Sequence, residues 1–138
     1  MTSTIYLYNE NGLIPKENLP DFCLKIKEKV SFNFNIISKE QSVPASTVFK
    51  VFSISDLDFI VYIHGYVMEI EGEIRKMIRL LKELDGCFEK GVVFYVSPIQ
   101  ALENKESQLY PRGSNEQVVA EFLDRLFCND FYTAALKS

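Results

Sequence analysis

The residues of this chain whose types and spacing most clearly suggest a binding site are acids that flank a hydrophobic strand segment. Five acids, and no Lys or Arg, occur between positions 51 and 74: Asp56, Asp58, Glu69, Glu71 and Glu73. Three carboxylates at alternate positions share one face of a strand, where they could bind a hard cation. The same acids could instead stabilise a helix N-terminus, attract a basic partner, or simply be solvated. We predict a partner-binding surface and no metal.

A second candidate is the loop at positions 107–113, which carries Tyr110 and Arg112. Aromatic and arginine side chains often anchor interfaces, and long loops in compact domains are often functional. The alternative that this segment is a disordered connection stays open. Tyr110 and Arg112 therefore join the five acids as predicted partner-binding residues.

His64 is the single histidine and offers the chain one conventional imidazole base. It could act as a general base beside Cys87 or Cys128, although a half-buried structural histidine is the commoner case. The three cysteines show no CxxC spacing, which favours reduced, buried thiols. The six glycines form neither a GxGxxG nor a Walker A loop, and no GxSxG occurs. We therefore predict no catalytic residues and no cofactor.

The elements that must position these residues follow the order β-α-β-β-β-α-β-α. Period-two and helical hydrophobic patterns place strands at about 4–8, 31–37, 47–54, 59–68 and 92–96, and helices at about 20–29, 73–85 and 114–126. Positions 69–72 fit either a strand or a helix start. The pattern predicts one α+β domain over 1–138, with a mixed or mostly antiparallel sheet of about five strands and two to three helices packed on it.

Composition restricts the partners that such a domain can have. Hydrophobic residues make up 47% of the 138 residues, and 19 acids against 15 bases give a net charge of −4. An acidic balance disfavours nucleic acid and anionic membranes, because both attract basic surfaces. No apolar run is long enough for a membrane span, and the N-terminus lacks a signal-peptide pattern. We expect a soluble, cytoplasmic protein whose partner is basic.

In size, acidity and lack of a catalytic set, the chain resembles the small immunity proteins with which bacteria neutralise co-encoded toxins. No motif carries this resemblance, so no residue roles come with it. The predicted function is non-enzymatic binding, in the form of inhibition of a basic toxin. One alternative is a small enzyme that uses His64 or a cysteine in a pocket between sheet and helices. A second alternative is a homo-oligomeric adaptor or structural subunit.

Overall fold

A computed structural model describes residues 2–14, 19–31, 33–39, 47–52, 57–63, 67–98 and 107–137, and it confirms the α+β class. The described elements are β1 (Thr2–Tyr8), α1 (Leu19–Lys29), β2 (Asn33–Lys39), β3 (Thr47–Phe52), β4 (Leu57–Ile63), β5 (Val67–Glu73), α2 (Ile74–Asp85), β6 (Tyr95–Pro98), β7 (Gln108–Leu109), α3 (Glu116–Phe127) and α4 (Phe131–Lys137).

The described strands form one antiparallel sheet of seven strands in the order β2-β3-β4-β5-β1-β6-β7. Strands β2 to β5 follow one another as a meander, and the N-terminal strand is inserted between β5 and β6. The run 59–68, expected as one strand, is divided between β4 and β5, which pair with each other. Positions 69–72 belong to β5. These divisions, with the two-residue β7, give more strands than expected.

The helices cover one face of the sheet. In β1, Ile5 and Leu7 are fully buried while Tyr6 and Tyr8 are half-buried, which is the alternation of a strand with one covered face. The buried strand residues form a single core with side chains from all four described helices. The buried hydrogen bond of 2.8 Å between the Ser3 and Tyr132 hydroxyls links β1 to α4, near the two ends of the chain.

The helix ends differ in detail from the predicted ones. α2 ends at Asp85, and the following cap residue Gly86 has a right-handed φ of −67°, so glycine's conformational freedom is not needed there. The N-cap of α3, predicted to begin at about 114, is Asn115, whose side chain accepts a 2.9 Å bond from the Val118 amide. Among the described helices none is long and apolar enough to cross a bilayer.

Gly72 is the position where the sheet tolerates no side chain. It lies opposite Phe59 in the β4–β5 pairing. A Cβ atom there would lie 2.2 Å from Phe59 Cδ1 and 2.3 Å from the Asp58 carbonyl oxygen. The aromatic ring therefore covers the glycine, and the Asp58 backbone cannot be moved aside by a change of rotamer.

Gly72→Ala should lower the free energy of unfolding by about 3 kcal/mol, because overpacking of a filled core forces the surrounding atoms apart. Urea unfolding followed by circular dichroism would measure it. Gly86→Ala is the matched control: its Cβ would lie 3.4 Å from the Glu83 carbonyl oxygen, so we expect a change of less than about 1 kcal/mol. If the two variants lost the same free energy of unfolding, the steric overlap inferred for a side chain at Gly72 would be wrong.

Candidate functional site

The face of the sheet opposite the described helices carries tyrosines and glutamates. We call it the tyrosine–glutamate face and define it by these residues: Tyr6, Tyr8, Tyr62, Glu69, Glu71 and Tyr95. Their side chains are half-buried except for that of Glu71, which is exposed. They project from β1, β4, β5 and β6, four neighbouring strands of the sheet. The alternation that buries one face of each strand brings these residues onto the other face.

Glu69 lies at the centre of this face, between two tyrosines. It is paired with Tyr6 of β1 on one side and with Tyr62 of β4 on the other. The Tyr6 hydroxyl donates a hydrogen bond to the Glu69 carboxylate. Burial, this hydrogen bond and the negative charge of Glu69 raise the pKa of Tyr6. The phenol is therefore a neutral donor at physiological pH.

An aromatic area extends from this centre towards the β7 edge. The rings of Tyr8 and Tyr95 stack with centroids 5.7 Å apart, and the Tyr8 hydroxyl is bonded to the Ser107 hydroxyl. Leu109 of β7 is paired with Tyr95 and leaves 54% of its surface exposed. The face is thus apolar and aromatic towards β7 and acidic along β5.

Basic residues are unevenly distributed between the helices and the four strands of the tyrosine–glutamate face. Strands β1, β4, β5 and β6 contain no Lys or Arg. Helices α1 and α2 together contain seven basic residues, three in α1 and four in α2. The six residues that define the tyrosine–glutamate face therefore carry only negative charge, while Lys50 of the next strand, β3, is paired with Ile60 of β4. Helices α1 and α2 place their bases on the helical side of the sheet.

The acids predicted from the sequence have different environments. Glu69 and Glu71 share the face, and Glu73 is half-buried where β5 meets α2. Asp58 falls at an irregularity of the β3–β4 pairing that takes it out of the strand alternation. It is 6% exposed, and its carboxylate accepts a 2.8 Å bond from the Lys76 ammonium of α2. Asp58 therefore joins strand to helix, and Asp56 lies outside the described residues.

The acids among the described residues do not support the metal-site interpretation. Within the described residues no group of three or more His, Cys, Asp or Glu is arranged to hold a metal ion. The alternating glutamates share a strand face, as their spacing predicts. Their strand neighbours are tyrosine, threonine and isoleucine, which do not complete a hard-cation site.

Tyr110 lies in the core instead of on an exposed loop. It is 3% exposed, and its ring stacks on Phe94 at 4.7 Å and meets Phe122 edge-on at 5.6 Å. The buried hydroxyl has no hydrogen-bond partner among the described residues. Burial, with a smaller contribution from the charge of Asp85, raises the pKa of this phenol. Its ring therefore belongs to the packed interior and not to the surface that a partner would cover.

Arg112 joins three segments of the chain at the end of α2. Its guanidinium donates five hydrogen bonds, whose acceptors are the Asp85 carboxylate at 2.5 Å and the carbonyl oxygens of Asp85, Phe88, Glu89 and Val92. The second carboxylate oxygen of Asp85 accepts a 2.8 Å bond from the Gly113 amide. Arg112 thus closes the last turn of α2 and fixes the loop before α3. Arg112 thus lies at the C-terminal end of α2, whereas β5 with its acids leads into the N-terminal end of the same helix.

The thiol best placed in a cavity is Cys87. It lines a cleft of about 390 Å³ together with Phe22, Lys25 and Phe88. The thiol is 2% exposed and donates a 3.5 Å hydrogen bond to the Glu83 carbonyl. Burial raises the pKa of Cys87 to about 11, whereas a nucleophilic cysteine needs a lowered pKa. His64, the other residue of the enzyme alternative, lies outside the described residues.

The tyrosines of the face were not identified from the sequence. Tyr6 and Tyr8 alternate with the buried Ile5 and Leu7, and that alternation is visible in the chain. The sequence does not show that β1 lies between β5 and β6, which is what places these rings beside Glu69 and Tyr95. Comparison with protein-family models, with curated proteins and with solved structures finds no match.

Arg112→Lys should destabilise the protein by about 2 kcal/mol. The lysine ammonium cannot reproduce the five N–H donors of the planar guanidinium, so it leaves buried carbonyl groups without donors. Chemical unfolding would measure the loss. Arg125→Lys, at an exposed position of α3, keeps the same chemical change and should cost less than about 0.5 kcal/mol. A tolerated Arg112→Lys would show that the hydrogen bonds at the end of α2 add little.

Cys87 should react with a soluble disulfide reagent about a hundredfold more slowly than Cys128 at neutral pH, because its pKa leaves little thiolate. Variants that retain only one of these two cysteines would give separate rates. Reaction of the Cys87 thiol should accelerate when the protein is unfolded in urea. Equal rates in the native protein would restore support for the thiol version of the enzyme alternative.

Proposed function

We propose that this chain is a non-enzymatic, cytoplasmic binding protein that inhibits a basic protein partner, as bacterial immunity proteins do. The tyrosine–glutamate face is the proposed contact surface. The observation that carries the proposal is the composition of this face: four tyrosines and two glutamates on four strands that contain no Lys or Arg. The proposal includes no cofactor, no nucleic acid and no membrane.

Tyrosine suits such a surface because of its shape. Its ring supplies a large contact area at a low cost in conformational entropy, and its hydroxyl can bond to polar groups of a partner. Here the Tyr8 and Tyr95 rings are held against each other, and Tyr6 is held by Glu69. A face on a hydrogen-bonded sheet is ordered before binding, so less entropy is lost when the partner docks.

The charges favour a basic partner over a second copy of this chain. In a dimer whose two-fold axis passes near Glu69, at the centre of this face, Glu69 and Glu71 of one copy would approach the same acids of the other copy. Like charges brought together in an interface oppose association. A partner with a basic surface would instead neutralise the glutamates and would be drawn to them from a distance. The homo-oligomer alternative therefore fits this face less well.

The test begins with capture of the partner from native lysate by the tagged protein at low and at high salt. Association of the purified partner is then followed by surface plasmon resonance. Glu69→Lys/Glu71→Lys should slow association at least about tenfold and flatten its dependence on salt, because electrostatic steering is lost. The bound partner should also lose its activity at a one-to-one ratio.

Glu28→Lys/Glu89→Lys is the matched control. Both residues are exposed, one on α1 and one after α2, and the substitution changes the net charge by the same amount. It should slow association by less than about twofold to threefold, because these charges are remote from the face. If the control slowed association as much as the glutamate reversal did, net charge alone would govern binding. The proposed surface would then be wrong.

A further inference from the structure

Resting on this proposed function, we infer that Glu69 receives an arginine side chain of the partner, with the guanidinium against the rings of Tyr6 and Tyr62. The inference names the group that the face recognises. It depends on the row across the sheet in which Tyr6, Glu69 and Tyr62 are directly paired on adjacent strands.

The row supplies both components of a guanidinium site. Directly opposed residues in antiparallel strands have Cβ atoms about 5 Å apart, so each ring flanks the carboxylate between them. A carboxylate can accept up to about four hydrogen bonds. The Tyr6 hydroxyl uses one acceptor position of Glu69, which leaves room for the two parallel N–H donors of a guanidinium. Tyrosine rings attract cations over their faces.

Arginine fits this row better than lysine does. The guanidinium is planar, stacks on aromatic rings and is weakly hydrated, so it loses little on entering a half-buried position. The lysine ammonium is compact and strongly hydrated, and it presents no plane to a ring. Among the described residues, none of the basic side chains forms an ion pair with Glu69. A cation from another molecule therefore displaces none of these side chains when it pairs with Glu69.

Glu71 provides the comparison within the same strand. It lies two residues further along β5 on the same face, and its paired neighbours are Thr4 and Ile60. Glu71 carries the same charge and is more exposed than Glu69. Without rings on either side, it should attract cations only through the general field of the face. A preference for arginine should therefore depend on Glu69 and not on Glu71.

The experiment uses pentaarginine and pentalysine peptides as probes, titrated into isotope-labelled protein and followed by nuclear magnetic resonance. Pentaarginine should bind about fivefold to tenfold more tightly than pentalysine, with the largest ring shifts at Tyr6 and Tyr62. Glu69→Gln should abolish this preference, and Glu71→Gln should leave it intact. The carboxamide introduced by Glu69→Gln still accepts the Tyr6 hydrogen bond, and unchanged circular dichroism would check the fold.

Tyr62→Leu gives a second variant that keeps the bulk and removes the aromatic plane. It should reduce the preference for arginine about twofold or more while Glu69 remains. Equal affinity for the two peptides, or equal effects of Glu69→Gln and Glu71→Gln, would overturn the arginine site. The proposed function would still stand in that case, since it is judged by the association rate of the captured partner and not by the peptides.

Discussion

The described helices cover only one face of the sheet, and most features of this molecule follow from that constraint. Each central strand must place apolar side chains on the covered face, as Ile5, Leu7, Met68 and Ile70 do. Alternate residues then point away from the core regardless of their chemistry. The second face is free to carry groups that the core could not accept. Tyrosines and glutamates occupy it.

Contacts at the ends of elements hold this two-layer arrangement together. Arg112 satisfies carbonyl groups that the end of α2 and the following loop leave without donors. Asp124 plays the equivalent role at the start of α4, where its carboxylate accepts hydrogen bonds from the backbone amides of Tyr132 at 2.8 Å and Thr133 at 3.2 Å. These side chains are charged, yet their chemistry is used inside the fold. Charge and residue type alone therefore do not distinguish an interface anchor from a structural one.

The acids illustrate the same distinction. Asp58 and Glu69 are both acids in the strand-rich segment, but a bulge directs Asp58 to Lys76, whereas regular pairing places Glu69 between two rings. A buried carboxylate with a bonded cation holds two elements together and is costly to separate. A half-buried carboxylate beside tyrosines retains its attraction for a cation from outside. The proposed recognition of a basic partner depends on this difference in environment.

Local pattern was enough to predict the α+β class, the helix α2 and the strands around Phe34, Phe49 and Val61, because periodicity follows directly from backbone geometry. It was also enough to find the acids of β5. The sequence could not show that β1 pairs with β5 and β6, since strand order depends on contacts between residues distant in the chain. For that reason the burial of Tyr110, the five bonds of Arg112 and the meeting of Tyr6, Glu69 and Tyr62 were decided only by the tertiary structure.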